Sequence, residues 1–388
     1  MHAGAREQGG ASDVPTTPVF AIMGAGNSGF GLAADLALRG FETRLFDLPE
    51  FAATLEPVAR AGGLRMRGIR GEGFARITLT TTDVPHAIRG ADAIFMSVPA
   101  YAHRRMAEAM APHLQDGDIL IIIPGCVGGA LEFLHVIRRC GNRAAVVTAE
   151  AASFIFACKK DGPDGVWIRG LKQGLPLAAL PATATLEVLD RVRPAFPEFA
   201  PAVNVLDTSL NNVNNPLHPP AALLNVGRIE KFGGDWSFFH EGMTPAVCRL
   251  MERLDEERLA VVGALGLPEV SLLEWNIKFY GHQGLGGKTL YEAMSTTPVH
   301  GAARAPSSLD HRYFTEDVPF GLVPTASLGR ALGIPTPVTD GVVAVSSAVC
   351  GRDFVRLGRT VETLGLGGMN AKQILAYVEA GAARPAVP

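Results

Sequence analysis

Three stretches of this 388-residue chain carry residue types that could do chemistry. Gly24-Ala25-Gly26-Asn27-Ser28-Gly29 has the spacing G-x-G-x-x-G. The second stretch runs from Asn211 to Pro220 and holds four asparagines and His218 among three prolines. The third, His311 to Pro319, combines His311, Arg312, Glu316 and Asp317. A glycine hexad of this kind can cradle a pyrophosphate: Gly24 permits a tight turn, Gly26 lets the backbone approach the phosphates, and Gly29 allows close helix packing. An imidazole such as that of His218 can pass protons to and from a reacting carbonyl or amine. A single histidine is more often structural, but the flanking prolines restrict the backbone of His218, and it falls where a substrate cleft is expected.

The elements around the hexad support a dinucleotide reading. Val19 to Met23 is a short apolar run, as expected of a buried parallel strand, and a helix-prone segment follows the glycines and stops at Gly40. Asp47 closes the next strand, Glu42 to Asp47. A carboxylate there accepts hydrogen bonds from adenosine ribose hydroxyls and repels a 2′-phosphate, so NAD is expected, with NADP possible. Arg65, Arg67 and Arg70 lie on a glycine-rich stretch, Gly62 to Gly73, read as flexible; they could soften that preference, although such a run is more often a solvated face. Asn27, Val98 and Pro99 complete the expected cofactor contacts. Val98-Pro99 and Pro124-Gly125 follow strands, at the carboxyl ends where such sheets bind ligands.

Further strands are expected over Ile77–Thr82, Ala93–Val98, Ile119–Ile123 and Ala144–Thr148, alternating with helices over Arg104–Met110 and Leu131–Arg139. After Pro201 the apolar spacing becomes helical. Thr244-Pro245 is a cap and first-turn pair for a helix running to about Leu265, and Asn370 caps a last helix that stops at Gly381. The expected fold is therefore α/β: an N-terminal Rossmann-type doubly wound parallel sheet over 19–205, then an all-helical C-terminal domain over 206–388, after a disordered tail at 1–18.

The bulk numbers narrow the function classes. A net charge of −3 calls for neither nucleic acid nor an anionic membrane. Five cysteines with no CxxC spacing fit a reduced, cytoplasmic location. No metal site is expected, since there is no HExxH and His282, His300 and His311 lack ligand spacing. His103 reads as a helix-surface residue and Glu316 as a helix cap.

Five segments give the chain a family resemblance. They are GAGNSG, VPAYAH (Val98 to His103), PGCVGGALEF (Pro124 to Phe133), NNPLHPPAALLNVGRIE (Asn214 to Glu230) and RYFTEDVPFGLVP (Arg312 to Pro324). In this order they resemble the octopine/nopaline (opine) dehydrogenase family, with Cys126 as a departure from its pattern. The resemblance implies an NADH-dependent condensation of an amino acid with a 2-keto acid, the imine being reduced to a secondary amine. It places a catalytic histidine–aspartate pair on His218 and Asp317 and a carboxylate-binding arginine on Arg312. Asn215 is a further candidate for substrate contact. Asp317 would orient the imidazole and support its charged form; Arg312 could hold a carboxylate bidentately. Partners are then small molecules, and the protein a monomer or homodimer. Two alternatives use the same features: another NAD(P)-dependent hydroxy-acid or sugar-phosphate dehydrogenase of the same two-domain plan, and a non-catalytic NAD-binding sensor.

Overall fold

A computed structural model describes residues 17–296 and 303–381. The tail expected over 1–18 lies outside these residues except for Thr17 and Pro18, and so does His300. Among the described residues twelve strands form two sheets. The large one contains β1 (Val19–Met23), β2 (Glu42–Phe46), β5 (Leu79–Thr81), β6 (Ala93–Met96), β7 (Ile119–Ile122), β8 (Val147–Ala151), β11 (Leu175–Leu180) and β12 (Phe199–Pro201). Their spatial order is β12-β11-β8-β7-β6-β1-β2-β5. The first six in sequence are mutually parallel, and β1 sits where the order reverses, at the topological switch point where doubly wound sheets bind ligands. The wholly parallel sheet expected from sequence needs one correction: β11 runs antiparallel to β8, and β12 follows β11.

The apolar strands are continuous runs because both faces are covered. Phe20 and Ile22 enter one core with Phe95 and Ile121, while Ala21 and Met23 enter the opposite core with Met96 and Ile122. Phe20 and Phe95 are fully buried, each contributing roughly 1.5–3 kcal/mol over an exposed position.

The Gly62–Gly73 stretch is the larger correction. It forms β3 (Gly63–Gly68) and leads into β4 (Gly73–Arg76), which join β9 (Phe156–Lys160) and β10 (Gly165–Leu171) in a second sheet ordered β4-β3-β10-β9. Gly63 and Gly68 are there for close approach: a Cβ on Gly63 would lie 2.2 Å from the Ala75 carbonyl oxygen, and one on Gly68 1.9 Å from that of Ile168. Its arginines are not a freely solvated run. Arg65 pairs with Asp164, Arg67 with Asp161 (2.6 Å), and Arg70 with Asp35 (2.8 Å) and Glu198 (2.9 Å). The helix α1 (Asn27–Leu38) is clasped between the two sheets, which is why Gly29 to Leu36 are all buried.

From Val205 onward the described elements are helical. Thr244 caps the helix Pro245–Ala264 by accepting from the Val247 N–H, and Gly266 follows it with φ +63°. The final stretch packs back toward the large sheet. Val361, Leu364, Leu366, Met369, Ile374 and Val378 return to the core of the nucleotide-binding half. No helix among the described residues is long and apolar enough to cross a membrane.

Candidate active site

The glycine hexad opens directly from β1. Gly24 has φ +113°, and a Cβ there would lie 2.6 Å from the Ser97 carbonyl oxygen. A Cβ on Gly29 would lie 1.8 Å from the Gly24 carbonyl oxygen, so these two glycines are required by the fold itself. Gly26 is different. Its φ is −77°, and a Cβ would meet nothing within 4 Å. The protein does not need glycine at 26 for its own packing; open space there, at the start of α1, suits a phosphate group held by the helix N-terminus. Asp47 is nearly buried beside this loop, with Oδ2 accepting the Ala25 N–H at 2.9 Å and Oδ1 the Leu48 N–H at 2.8 Å. Burial raises its pKa, and the two backbone donors oppose that rise. Asn27 turns its side chain to the second sheet, where Oδ1 accepts the Lys160 N–H at 2.8 Å.

Across the mouth of the sheet lies the histidine. His218 sits on the helix Asn214–Leu224, in which Pro219 and Pro220 cannot donate to the preceding turn. Its Nδ1 is 2.8 Å from Asp317 Oδ2. The two residues are 99 positions apart in sequence. The Asp317 side chain is 1% exposed and that of His218 is 12% exposed. A carboxylate this deeply buried requires a partner, and an Nδ1–H donated to it leaves Nε2 as the nitrogen that exchanges protons. Tyr313 stacks on the imidazole with ring centroids 4.1 Å apart and planes 19° apart, and Phe238 and Phe239 stand further out. Asp317 precedes a single π-helical turn, Val318–Leu322, a distortion often found at functional sites.

Glu316 stands at the C-cap of the helix Arg312–Thr315, as the cap reading expected, and its side chain also joins the two halves. Its Oε1 accepts the Ala100 N–H at 2.8 Å, and its Oε2 pairs with Arg312 Nη2 at 2.8 Å. Val98 and Pro99, at the end of β6, are thereby held against the segment that carries Arg312 and Asp317. Arg312 keeps about half of its side chain exposed (51%). Asn215 does not reach open space. It is 2% exposed, donates to the Asn212 carbonyl and packs against Gly321. Its Nδ2 thereby ties the first turn of the helix Asn214–Leu224 to Asn212, while its Oδ1 is buried with no hydrogen-bond partner among the described residues.

Three residues that sequence reasoning did not assign hold the loop after β7. Arg359, fully buried, donates to the Gly125 and Val127 carbonyls, to Glu132 and to His103 Nδ1. His103 is therefore not a surface residue: burial depresses its pKa well below the usual imidazole range, and Nε2–H donates to the Val98 carbonyl. Glu150 lies beneath the same loop, with a Cβ on Gly125 falling 2.1 Å from its Cδ. Between these anchors Cys126 adopts φ +55°, a left-handed conformation costing on the order of 1–3 kcal/mol outside glycine. Among the described residues no group of three or more His, Cys, Asp or Glu is arranged to hold a metal ion.

Comparison with known proteins gives two family matches. The model of the NAD/NADP octopine/nopaline dehydrogenase alpha-helical domain matches residues 201–350, and that of the NAD-dependent glycerol-3-phosphate dehydrogenase N-terminus matches residues 19–137. The chain is 37% identical over 361 residues to an opine dehydrogenase of Arthrobacter sp. (strain 1C), covering 93% of this chain and 98% of that protein. Among solved structures, octopine dehydrogenase in complex with NADH and agmatine superposes with a TM-score of 0.79 at 22% identity, covering 96% of this chain and all of that one. Yersinopine dehydrogenase with NADP+ bound superposes at 0.70 and 18% identity, covering 94% and 98% of the two chains.

Proposed function

This chain belongs to the opine dehydrogenase family, and from that premise we propose that it joins the amine of an amino acid to the carbonyl of a 2-keto acid, using NADH and the His218–Asp317 pair. Amine and keto acid condense with loss of water to an imine, and reduction of the imine carbon gives a secondary amine. The bound nicotinamide supplies the hydride. The residues fit such a cofactor: Gly26 leaves the phosphate approach open, and Asp47 is fixed where the adenosine ribose would lie.

The chain's own residues manage protons and orientation. His218 Nε2 takes the proton that the ammonium group must lose before it can attack. It returns a proton to the oxygen that leaves as water. Asp317 receives Nδ1–H throughout, fixing the tautomer and supporting the imidazolium between these steps. Arg312, engaged through one nitrogen by Glu316, presents the rest of its guanidinium fork to the keto-acid carboxylate. The burial of Asp317 and the aromatic wall of Tyr313 keep water away from the pair, which strengthens both charge interactions. The five cysteines are free thiols, which supports a cytoplasmic location.

The observation that carries this reading is the 2.8 Å contact between His218 and Asp317. Its test is a screen of NADH oxidation with amino acids crossed against pyruvate, glyoxylate, oxaloacetate and 2-oxoglutarate. Oxidation that requires both components is expected. Oxidation by a keto acid alone, at the same rate, would instead identify a hydroxy-acid dehydrogenase.

A further inference from the structure

The second sheet does more than cover α1. Its strand β9 ends at Lys160, whose backbone N–H donates to Asn27 Oδ1 in the glycine loop. One strand position earlier on the same face, Cys158 Sγ contacts the Asn27 carbonyl oxygen at 3.3 Å. The end of β9 is thus pinned to the first turn of the dinucleotide helix. From there the Lys160 side chain folds over Phe30, with Nζ 3.8 Å from the ring centroid. It lies within electrostatic reach of Asp47. Among the described residues its ammonium donates to no protein acceptor. A partly buried ammonium that rests on an aromatic face and lacks an acceptor is ready for an anion.

The neighbouring cations are already committed. Arg65, Arg67 and Arg70 are each paired with carboxylates of their own surroundings. Asp47 is also a weaker repellent than a free carboxylate, because each of its oxygens takes a backbone N–H. A group added at the 2′ position of the adenosine ribose would enter the space between the Asp47 carboxylate and the first turn of α1. Lys160, its ammonium over Phe30 in that first turn and within electrostatic reach of Asp47, is a cation on this side of the loop.

We propose that Lys160 is a cofactor-specificity residue: its ammonium offsets Asp47 and receives the 2′-phosphate of NADPH, so that the enzyme accepts both NADH and NADPH. This rests on the dinucleotide-dependent function proposed above. The sign of the effect follows from charge. NADH gains little from Lys160, since the ribose hydroxyls are served by Asp47. NADPH brings two further negative charges to a site where Lys160 is the counter-ion.

The test is equilibrium binding of NADH and of NADPH, followed by nicotinamide fluorescence without substrates, for the wild type, Lys160→Met and Lys160→Arg. Lys160→Met should raise the ratio Kd(NADPH)/Kd(NADH) by roughly tenfold, the scale of one lost charge-assisted contact. Lys160→Arg should hold the ratio near the wild-type value. Because the readout is a ratio within one protein sample, NADH binding reports that the site is intact. Equal weakening of both cofactors in Lys160→Met would mean that the ammonium serves the shared pyrophosphate, and would overturn the proposal. An unchanged ratio would overturn it as well. Failure of the wild type to bind either cofactor would instead sink the dehydrogenase reading itself.

Discussion

Replacing Glu150 by glutamine should change how stability depends on pH. The carboxyl is fully buried. Its Oε1 accepts from Ser209 Oγ at 2.6 Å and from Thr208 Oγ1 at 3.3 Å, and its Oε2 accepts the Ala130 N–H at 3.0 Å. Burial raises its pKa from 4.5 to about 7, with the Ser209 and Ala130 hydrogen bonds and the Arg359 charge opposing the rise. Between these two values the folded protein holds a proton that the unfolded chain has released. The stability associated with this group is therefore complete below pH 4.5 and declines as pH rises through 7. A shift of this size corresponds to on the order of 3 kcal/mol. Glutamine stays neutral, and its oxygen and amide can serve Ala130 and Ser209 respectively. The variant should lie within about 1 kcal/mol of the wild type near pH 5 and exceed it by up to roughly 3 kcal/mol at pH 8. Denaturant unfolding of both proteins from pH 4.5 to 8 reads this as a difference, in which all other titrations cancel. Parallel curves, with a constant gap at every pH, would refute the reasoning.

Two further perturbations separate cofactor geometry from fold geometry. Gly26→Ala should leave the melting temperature within about 1 °C of wild type, because its Cβ meets nothing, while NADH affinity falls at least roughly tenfold as the methyl meets the phosphates. Gly29→Ala should lower the melting temperature outright, since its Cβ would collide with the Gly24 carbonyl; equal effects of the two changes on stability would contradict the assignment. Arg359→Met should destabilise by roughly 3–5 kcal/mol in denaturant unfolding, because it leaves Glu132 partly uncompensated in the interior. A loss under about 1 kcal/mol would show that Arg104 alone suffices for Glu132.

The legible parts of the molecule were those written in neighbouring residues. Strand β1, the hexad and Asp47 are contiguous enough for a local pattern to place them. The helix Pro245–Ala264 declares its own start and stop through Thr244, Pro245 and Gly266. The contact of Asp317 with His218 was legible only through family resemblance, since no local rule links the two. The second sheet was not legible: β3 pairs with β10, about a hundred residues away, and its glycines look like loop residues until Gly68 is seen against the Ile168 carbonyl. Lys160 was missed for the same reason. His103 was misread, and the second contact of Glu316 missed, because each depends on a partner in the other half of the chain, Arg359 and Ala100.

The most direct test of the central claim is single-turnover hydride transfer in His218→Asn, with NADH, an accepted amino acid and its 2-keto acid. Asparagine keeps a donor for the buried Asp317 carboxylate but cannot shuttle protons. The predicted result is a rate lowered by at least about 10²-fold with NADH affinity unchanged. A rate close to wild type would contradict the account.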